Sequence, residues 1–171
     1  VSVTVSEPTS LSASISATEI LCNGQTTDIT VSATGGTAPY TGTGVYTESA
    51  GTYTYIVSDA NGCTDSVSIT VAEPTQLAAS ATATEILCNG QTTDITVVAS
   101  GGTAPYSGTG VYTENAGTYT YTVTDSKGCS VDVTITVAEP TQLAASASAT
   151  EILCNGQTTD ITVVASGGTA P

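Results

Sequence analysis

Apolar and polar residues alternate one for one over several short stretches of the chain, the period of a strand with one buried face. In the run from Asp28 to Thr34 the apolar positions are Ile29, Val31 and Ala33. Tyr53, Tyr55 and Val57 alternate with Thr54 and Ile56, and Val67, Ile69 and Val71 alternate with Ser68 and Thr70. Leu11, Ala13, Ile15 and Ala17 give a fourth run, and Val1 to Val5 reads as another example of the Val67–Val71 type. Helical spacing occurs nowhere. Turn signals separate the runs: Asn23-Gly24, Gly35-Gly36, and Asn61-Gly62, which is placed to close a hairpin. The pattern predicts an all-β chain.

The same runs return at a fixed interval. Cys-Asn-Gly begins at Cys22, Cys88 and Cys154, and Glu-Pro-Thr begins at Glu7, Glu73 and Glu139, each 66 residues apart. Residues 7–72 and 73–138 share 50 of 66 positions, and 73–105 and 139–171 share 32 of 33. The expected organisation is a last strand of a preceding repeat at 1–6, complete repeats at 7–72 and 73–138, and the N-terminal part of a third at 139–171. In the Asp28–Thr34 and Tyr53–Val57 runs the changes between copies fall on the outer face: Ser32 becomes Val98, Thr34 becomes Ser100 and Ile56 becomes Thr122, while Tyr119, Tyr121 and Val123 are kept. Near-identical copies suit a spacer, stalk or multivalent surface, which gains from number, and not an active site, which needs to occur once.

Composition removes whole classes of function. The chain has no His, Trp, Phe or Met, a single basic residue in Lys127, fifteen Asp plus Glu and a net charge of -14. A His-dependent triad, an imidazole zinc site and an arginine phosphate clamp are unavailable, and nucleic acid would find almost no cation to neutralise it. The reading is not an enzyme, with no catalytic residue, no cofactor and no metal. No apolar run is long enough to span a bilayer, so direct membrane insertion is not expected. An acidic chain of this kind repels its neighbours and anionic surfaces.

The five cysteines suggest an oxidising, extracellular setting. Cys22 and Cys63 are 41 apart, as are Cys88 and Cys129, and Cys154 has no counterpart in the sequence. No Cys-x-x-Cys pair supports metal binding by these thiols. Ala50-Gly51-Thr52-Tyr53 and its copy ending at Tyr119 resemble the tyrosine corner of immunoglobulin-like sandwiches. The predicted unit is therefore a small immunoglobulin-like β-sandwich. At 66 residues, with Tyr as its sole aromatic residue, its core is thin, and cross-links at roughly 4 kcal/mol each are expected.

The ordered motifs Cys22-Asn23-Gly24, Gly35-Gly36-Thr37-Ala38-Pro39-Tyr40, Ala50-Gly51-Thr52-Tyr53, Asp59 with Gly62-Cys63, and Glu73-Pro74 resemble the SprB-type repeat. That resemblance covers essentially the whole chain. It implies a very large cell-surface adhesin of Bacteroidota, of the kind used in gliding motility and exported by type IX secretion, and it carries no catalytic residues over. Thr41-Gly42-Thr43-Gly44 departs from the longer aromatic strand of related repeats and leaves the strand count open.

Strand count and cysteine pairing are linked. The junctions Glu73-Pro74 and Glu139-Pro140 are short and stiffened by proline. If residues 40–48 form one strand kinked at its glycines and switching sheets, five crossings place Cys22 and Cys63 at opposite poles. They then lie roughly 25–30 Å apart, beyond disulfide reach. Cys22 would instead meet Cys129 of the next repeat, and the repeats would stack into a rod. If residues 40–48 form a hairpin, six crossings favour Cys22 with Cys63 and Cys88 with Cys129. The rod with Cys22–Cys129 is the favoured reading.

Three further candidates have simpler explanations. Asp59 to Asp65 has carboxylates spaced as in a calcium loop, but the copy puts Lys127 where Asn61 stands and shifts the second acid to Asp132; a hairpin turn is preferred. Asp65-Ser66-Val67 resembles a Bacteroidota O-glycosylation motif that the second copy lacks, and an exposed strand start explains it. Tyr40, Tyr46, Tyr106 and Tyr112, read as exposed, are candidates to stack on sugars, although core packing is the stronger reading. The expected role is a structural or adhesive repeat module of a long surface adhesin. Its expected partners are neighbouring repeats, with surface polysaccharide or a solid substratum as external candidates. The alternatives are a passive spacer in a secreted enzyme and a self-associating filament subunit.

Overall fold

The computed structural model describes residues 1–169. The described residues contain twelve strands and no helix, and they gather into two compact units. The first unit comprises Val1–Ala78 with Gly101–Pro105 and Asp125–Cys129. The second comprises Ala79–Ser100, Tyr106–Thr124 and, of the described residues, 130–169. These units do not run along the boundaries of the sequence copies, because two loops of the second copy fold with the first.

In the first unit β1 (Ser12–Ala17), β2 (Thr27–Thr34) and β3 (Gly44–Glu48) form a three-stranded antiparallel sheet in that order. β4 (Gly51–Ser58) and β5 (Thr64–Val71) form a second, two-stranded sheet. Register runs from Ser12 opposite Thr34 to Ala17 opposite Ile29, and from Gly51 opposite Val71 to Ser58 opposite Thr64. The inward positions meet between the sheets, where Ile20, Ile29, Val31, Val57 and Val71 are buried and Tyr46, Tyr53, Tyr55, Val67 and Ile69 pack against them. Burial along β2 alternates residue by residue, the consequence of a period-two pattern with one face turned to a core.

Residues 40–48 change sheets. Thr41 exchanges both backbone hydrogen bonds with Ser58 at the end of β4, at 2.9 and 3.0 Å, and three residues later β3 opens against β2. Gly42 makes the crossing, at φ 81°, where an added Cβ would run into the Ile56 carbonyl. A residue with a side chain fits neither that backbone conformation nor that space. Each of the two complete copies therefore has five strands, with the segment before the third crossing between sheets, and no additional hairpin.

The second unit repeats the arrangement. β6 (Ala78–Ala83), β7 (Thr93–Ser100) and β8 (Gly110–Glu114) form one sheet, and β9 (Gly117–Thr124) pairs with β10 (Ser130–Val137) in the other. Ile86, Ile95, Val97, Val123 and Val137 form its core. β11 (Ala144–Ala149) and β12 (Ile161–Ser166) make a separate antiparallel pair. The run Val1–Val5, expected to be a strand, is not one. A run of this type becomes a strand by pairing with a Tyr-rich strand, and β4 and β9 are already taken by β5 and β10.

Serine and threonine supply the outer faces. Thr52 bonds Thr70 at 3.0 Å and Thr54 bonds Ser68 at 2.7 Å across β4–β5, and Thr118–Thr136 and Thr120–Thr134 repeat this in the second unit. Such cross-strand hydroxyl pairs stabilise a sheet without adding apolar surface.

Candidate functional site: a cysteine turn and its socket

The segment after β1 is anchored by Ile20, which is buried, and then turns through Cys22-Asn23-Gly24-Gln25, closed by the Gln25 amide donating to the Cys22 carbonyl at 3.2 Å. The turn projects two donors. The Asn23 side-chain amide donates to the Pro74 carbonyl at 3.0 Å, and the Gly24 amide donates to the Glu73 carboxylate at 2.6 Å. The second of these is a charge-assisted bond, the stronger kind. The junction residues Glu73 and Pro74 are thus a receptor for the turn as well as a linker. In the second unit Asn89 donates to the Pro140 carbonyl at 3.1 Å and Gly90 to the Glu139 carboxylate at 2.6 Å.

Within the first unit Cys22 is joined to Cys129 in a disulfide with a Cα–Cα distance of 5.7 Å, across 107 residues of sequence. The pairing links successive sequence copies. Cys63, Cys88 and Cys154 are exposed thiols, so the pairing of Cys22 with Cys63 and Cys88 with Cys129 is not formed. Beside the disulfide the Lys127 ammonium lies 3.0 Å from the Glu19 carboxylate. That pair is partly exposed and contributes little by itself.

Cys129 is held in place by a buried carboxylate. Asp125, 5% exposed, accepts the Lys127 and Cys129 amides on one oxygen and the Thr103 amide on the other, each at 2.9 Å. Asp59 does the same for Asn61 at 2.9 Å, Cys63 at 2.8 Å and Thr37 at 2.9 Å. The Thr37 amide holds the Asp59 carboxyl below its ordinary range against the opposing effect of burial, with the Cys63 and Asn61 amides adding to it. At Asp125 burial pushes upward, and the amides of Thr103, Cys129, Lys127 and Gly128 together outweigh it, so the carboxyl is again lowered. Each aspartate pins the Gly-Gly-Thr loop to the loop that presents a cysteine.

This arrangement accounts for the calcium-like spacing. The Asp59 oxygens are engaged by backbone amides, and Asp65 accepts the Ala13 and Ser66 amides, each at 2.8 Å. Among the described residues no cluster of three or more acidic, His or Cys side chains is placed to hold a metal. Tyr53 and Tyr119 each donate a hydroxyl to a carbonyl four residues upstream, Ser49 and Asn115, both at 3.1 Å. Tyr40, Tyr46, Tyr106 and Tyr112, candidates for sugar stacking but read more strongly as core, are half-buried and pack against the two cores. Tyr46 and Tyr112 stack on Tyr55 and Tyr121 with ring centroids 4.5 Å apart, which withdraws one face of each ring from solvent.

The matched features of each copy, the β1-type strand, the Cys-Asn-Gly turn, the β2-type strand and the Gly-Gly-Thr loop, are what a family comparison detects. The family model of the SprB repeat matches residues 14–41 and 80–107. The chain carries SprB-type repeats. No curated protein and no solved structure matches it. SprB repeats occur in cell-surface proteins, and the family is a structural repeat and not a known enzyme family. In both SprB-type matches the turn lies inside the matched residues, whereas Asp59, Cys63 and the junction residue Glu73, and their counterparts Asp125, Cys129 and Glu139, lie outside. Sequence reasoning had singled out the cysteines and the Glu-Pro junctions but not their hydrogen bonds. The signal was the return of Cys-Asn-Gly and Glu-Pro-Thr together in every copy, since two partners that touch must recur together.

Proposed function

We propose that these SprB-type repeats form a disulfide-stapled stalk of a long extracellular surface adhesin, used for attachment or gliding and exported by type IX secretion. The observation that carries the reading is the disulfide between Cys22 and Cys129, which ties one sequence copy to a loop of the next. A bond of that kind resists separation of the copies under tension. The hydroxyl-rich outer faces and the net charge of -14 keep such a stalk soluble at high copy number. Its partners are then neighbouring repeats along the chain and, outside it, surface polysaccharide or a solid substratum. Beads coated with antibody to this repeat, added to live source cells, test the proposal. Beads that bind and travel along the cell support a motile adhesin, and beads that bind and stay put support a fixed stalk. Absence of binding, with the protein recovered from the medium, refutes the surface reading.

A further inference from the structure

The Cys-Asn-Gly turns carry a chemical liability. Asparagine is among the thermolabile residues of proteins, and a following glycine, with no side chain to crowd its amide nitrogen, makes it more so. The glycine nitrogen gives up its proton and attacks the side-chain carbonyl carbon of the asparagine. The new bond closes a five-membered succinimide, and the bond to the side-chain nitrogen breaks, so that ammonia leaves with the proton. Water then opens the ring at one carbonyl or the other, leaving aspartate or its isomer with the chain running through the side chain. One water is consumed, one ammonia is released, and no oxidant or reductant takes part. Asn23-Gly24 and Asn89-Gly90 are exposed, so burial does not keep water from them.

The hydrogen bonds of the seated turns oppose each step of that reaction. The Gly24 nitrogen becomes a nucleophile only by losing its proton, and it donates that proton to the Glu73 carboxylate 2.6 Å away. A hydrogen bond made by the neutral form, and a negative charge beside the group, both disfavour ionisation to an anion. The Asn23 side chain has to bring its carbonyl carbon to the Gly24 nitrogen, and its amide is held instead by the Pro74 carbonyl at 3.0 Å. Glu139 and Pro140 hold Gly90 and Asn89 in the same way, at 2.6 and 3.1 Å. We propose that Asn23 and Asn89 are latent deamidation sites, and that the Glu73-Pro74 and Glu139-Pro140 pairs suppress the reaction there. This inference does not depend on the adhesin reading.

Asn61-Gly62, the other such pair of the first copy, is held differently. The Gly62 amide donates to the Asp59 carbonyl and the Asn61 side-chain amide to the Thr37 hydroxyl, both at 3.0 Å, and neither acceptor is charged. The second copy has no asparagine there, with Lys127 standing before Gly128. The charged acceptor thus falls on the turns where the product does most harm. A carboxylate at position 23 has no proton to give the Pro74 carbonyl and sets a second negative charge beside Glu73, next to the cysteine that joins the copies.

The test is prolonged incubation of the 171-residue protein at mildly alkaline pH, with peptide mapping by mass spectrometry of the conversion at Asn23, Asn61 and Asn89. Asn23 and Asn89 should convert at least about tenfold more slowly in the native protein than in the same chain unfolded in urea. Glu73→Ala should speed conversion of Asn23 about tenfold and leave Asn89 and Asn61 at their native rates, and Glu139→Ala should speed Asn89 and leave Asn23. Glu73→Gln, which keeps an oxygen acceptor and drops the charge, should give an intermediate rate at Asn23. Equal rates in the native and unfolded protein would overturn the proposal. So would an unchanged rate at Asn23 in Glu73→Ala, or a slower one, which would make the carboxylate a base that promotes the reaction. If Glu73→Ala speeds all three sites alike by unfolding the chain, Glu73→Gln decides: acceleration confined to Asn23 supports the proposal, and none overturns it.

Discussion

Replacing both Cys22 and Cys129 with serine removes a cross-link without touching either hydrophobic core. The bond closes a loop of 107 residues. In the chain-entropy treatment a closure of that length denies the unfolded chain about 16 cal/mol/K, or about 4.8 kcal/mol at 25 °C. The double variant should therefore unfold more easily by that order. With a urea dependence of about 2 kcal/mol/M for a protein of this size, the midpoint of the first unit should fall by about 2 M. The assay is urea unfolding followed by tyrosine fluorescence, with Cys63→Ser as the matched control. Cys63 is an exposed thiol, and its replacement should leave the midpoint unchanged. Adding reductant to the native protein should reproduce the double variant. A drop below about 0.5 M, or an equal drop in the Cys63→Ser control, would refute the argument that loop closure supplies this stability.

Other predictions follow from single atoms. Gly35→Ala should destabilise by about 2–4 kcal/mol, because the residue sits at φ 74° and its Cβ would meet the Ser10 carbonyl, whereas Gly24→Ala, at φ 80° in open space, should cost about 1–2 kcal/mol; urea midpoints separate the two. Tyr121→Phe should be neutral or stabilising by up to about 1 kcal/mol, since its buried hydroxyl has no hydrogen-bond partner, while Tyr119→Phe should lose about 1 kcal/mol with its bond to Asn115. The lowered carboxyls of Asp59 and Asp125 contribute stability that is fully present above the unfolded value of 3.8 and is lost as pH falls through their lower folded values. Thermal melts from pH 7 down to pH 2 should show that loss, and it should shrink in the Asp59→Asn, Asp125→Asn double variant. Calcium against chelator should leave the melting point within about 3 °C, because the candidate oxygens already accept backbone amides.

The strands were legible because their period is local. Ile29, Val31 and Val57 announce an inward face by position alone, and the drift of Ser32 to Val98 and Ile56 to Thr122 marked the outer one. The crossing at Gly42 was less so. Glycines in residues 40–48 suit a kink and a hairpin equally, and what decides between them is the bond pair from Thr41 to Ser58, a contact across 17 residues. Tyr40 and Tyr46 flank that irregular stretch, and the stronger reading for them, core packing in a chain without Phe or Trp, is what the structure shows. The seat of the Cys22 turn spans about fifty residues of sequence and uses a side-chain amide, a carboxylate and a carbonyl, none of which has a periodic signature. Val1–Val5 has the right period and pairs with no strand among the described residues.

Lys127 has a consequence for how long the molecule survives outside a cell. It is the sole basic residue in 171, so a protease that cuts after lysine or arginine has a single peptide bond to attack, between Lys127 and Gly128. The ammonium that such an enzyme must draw into its specificity pocket is already paired with Glu19. A cut at that bond would leave Cys129 on the far fragment and Cys22 on the near one, still covalently joined. The nick would therefore leave the two pieces attached to one another, and digestion by enzymes of that specificity would stop there.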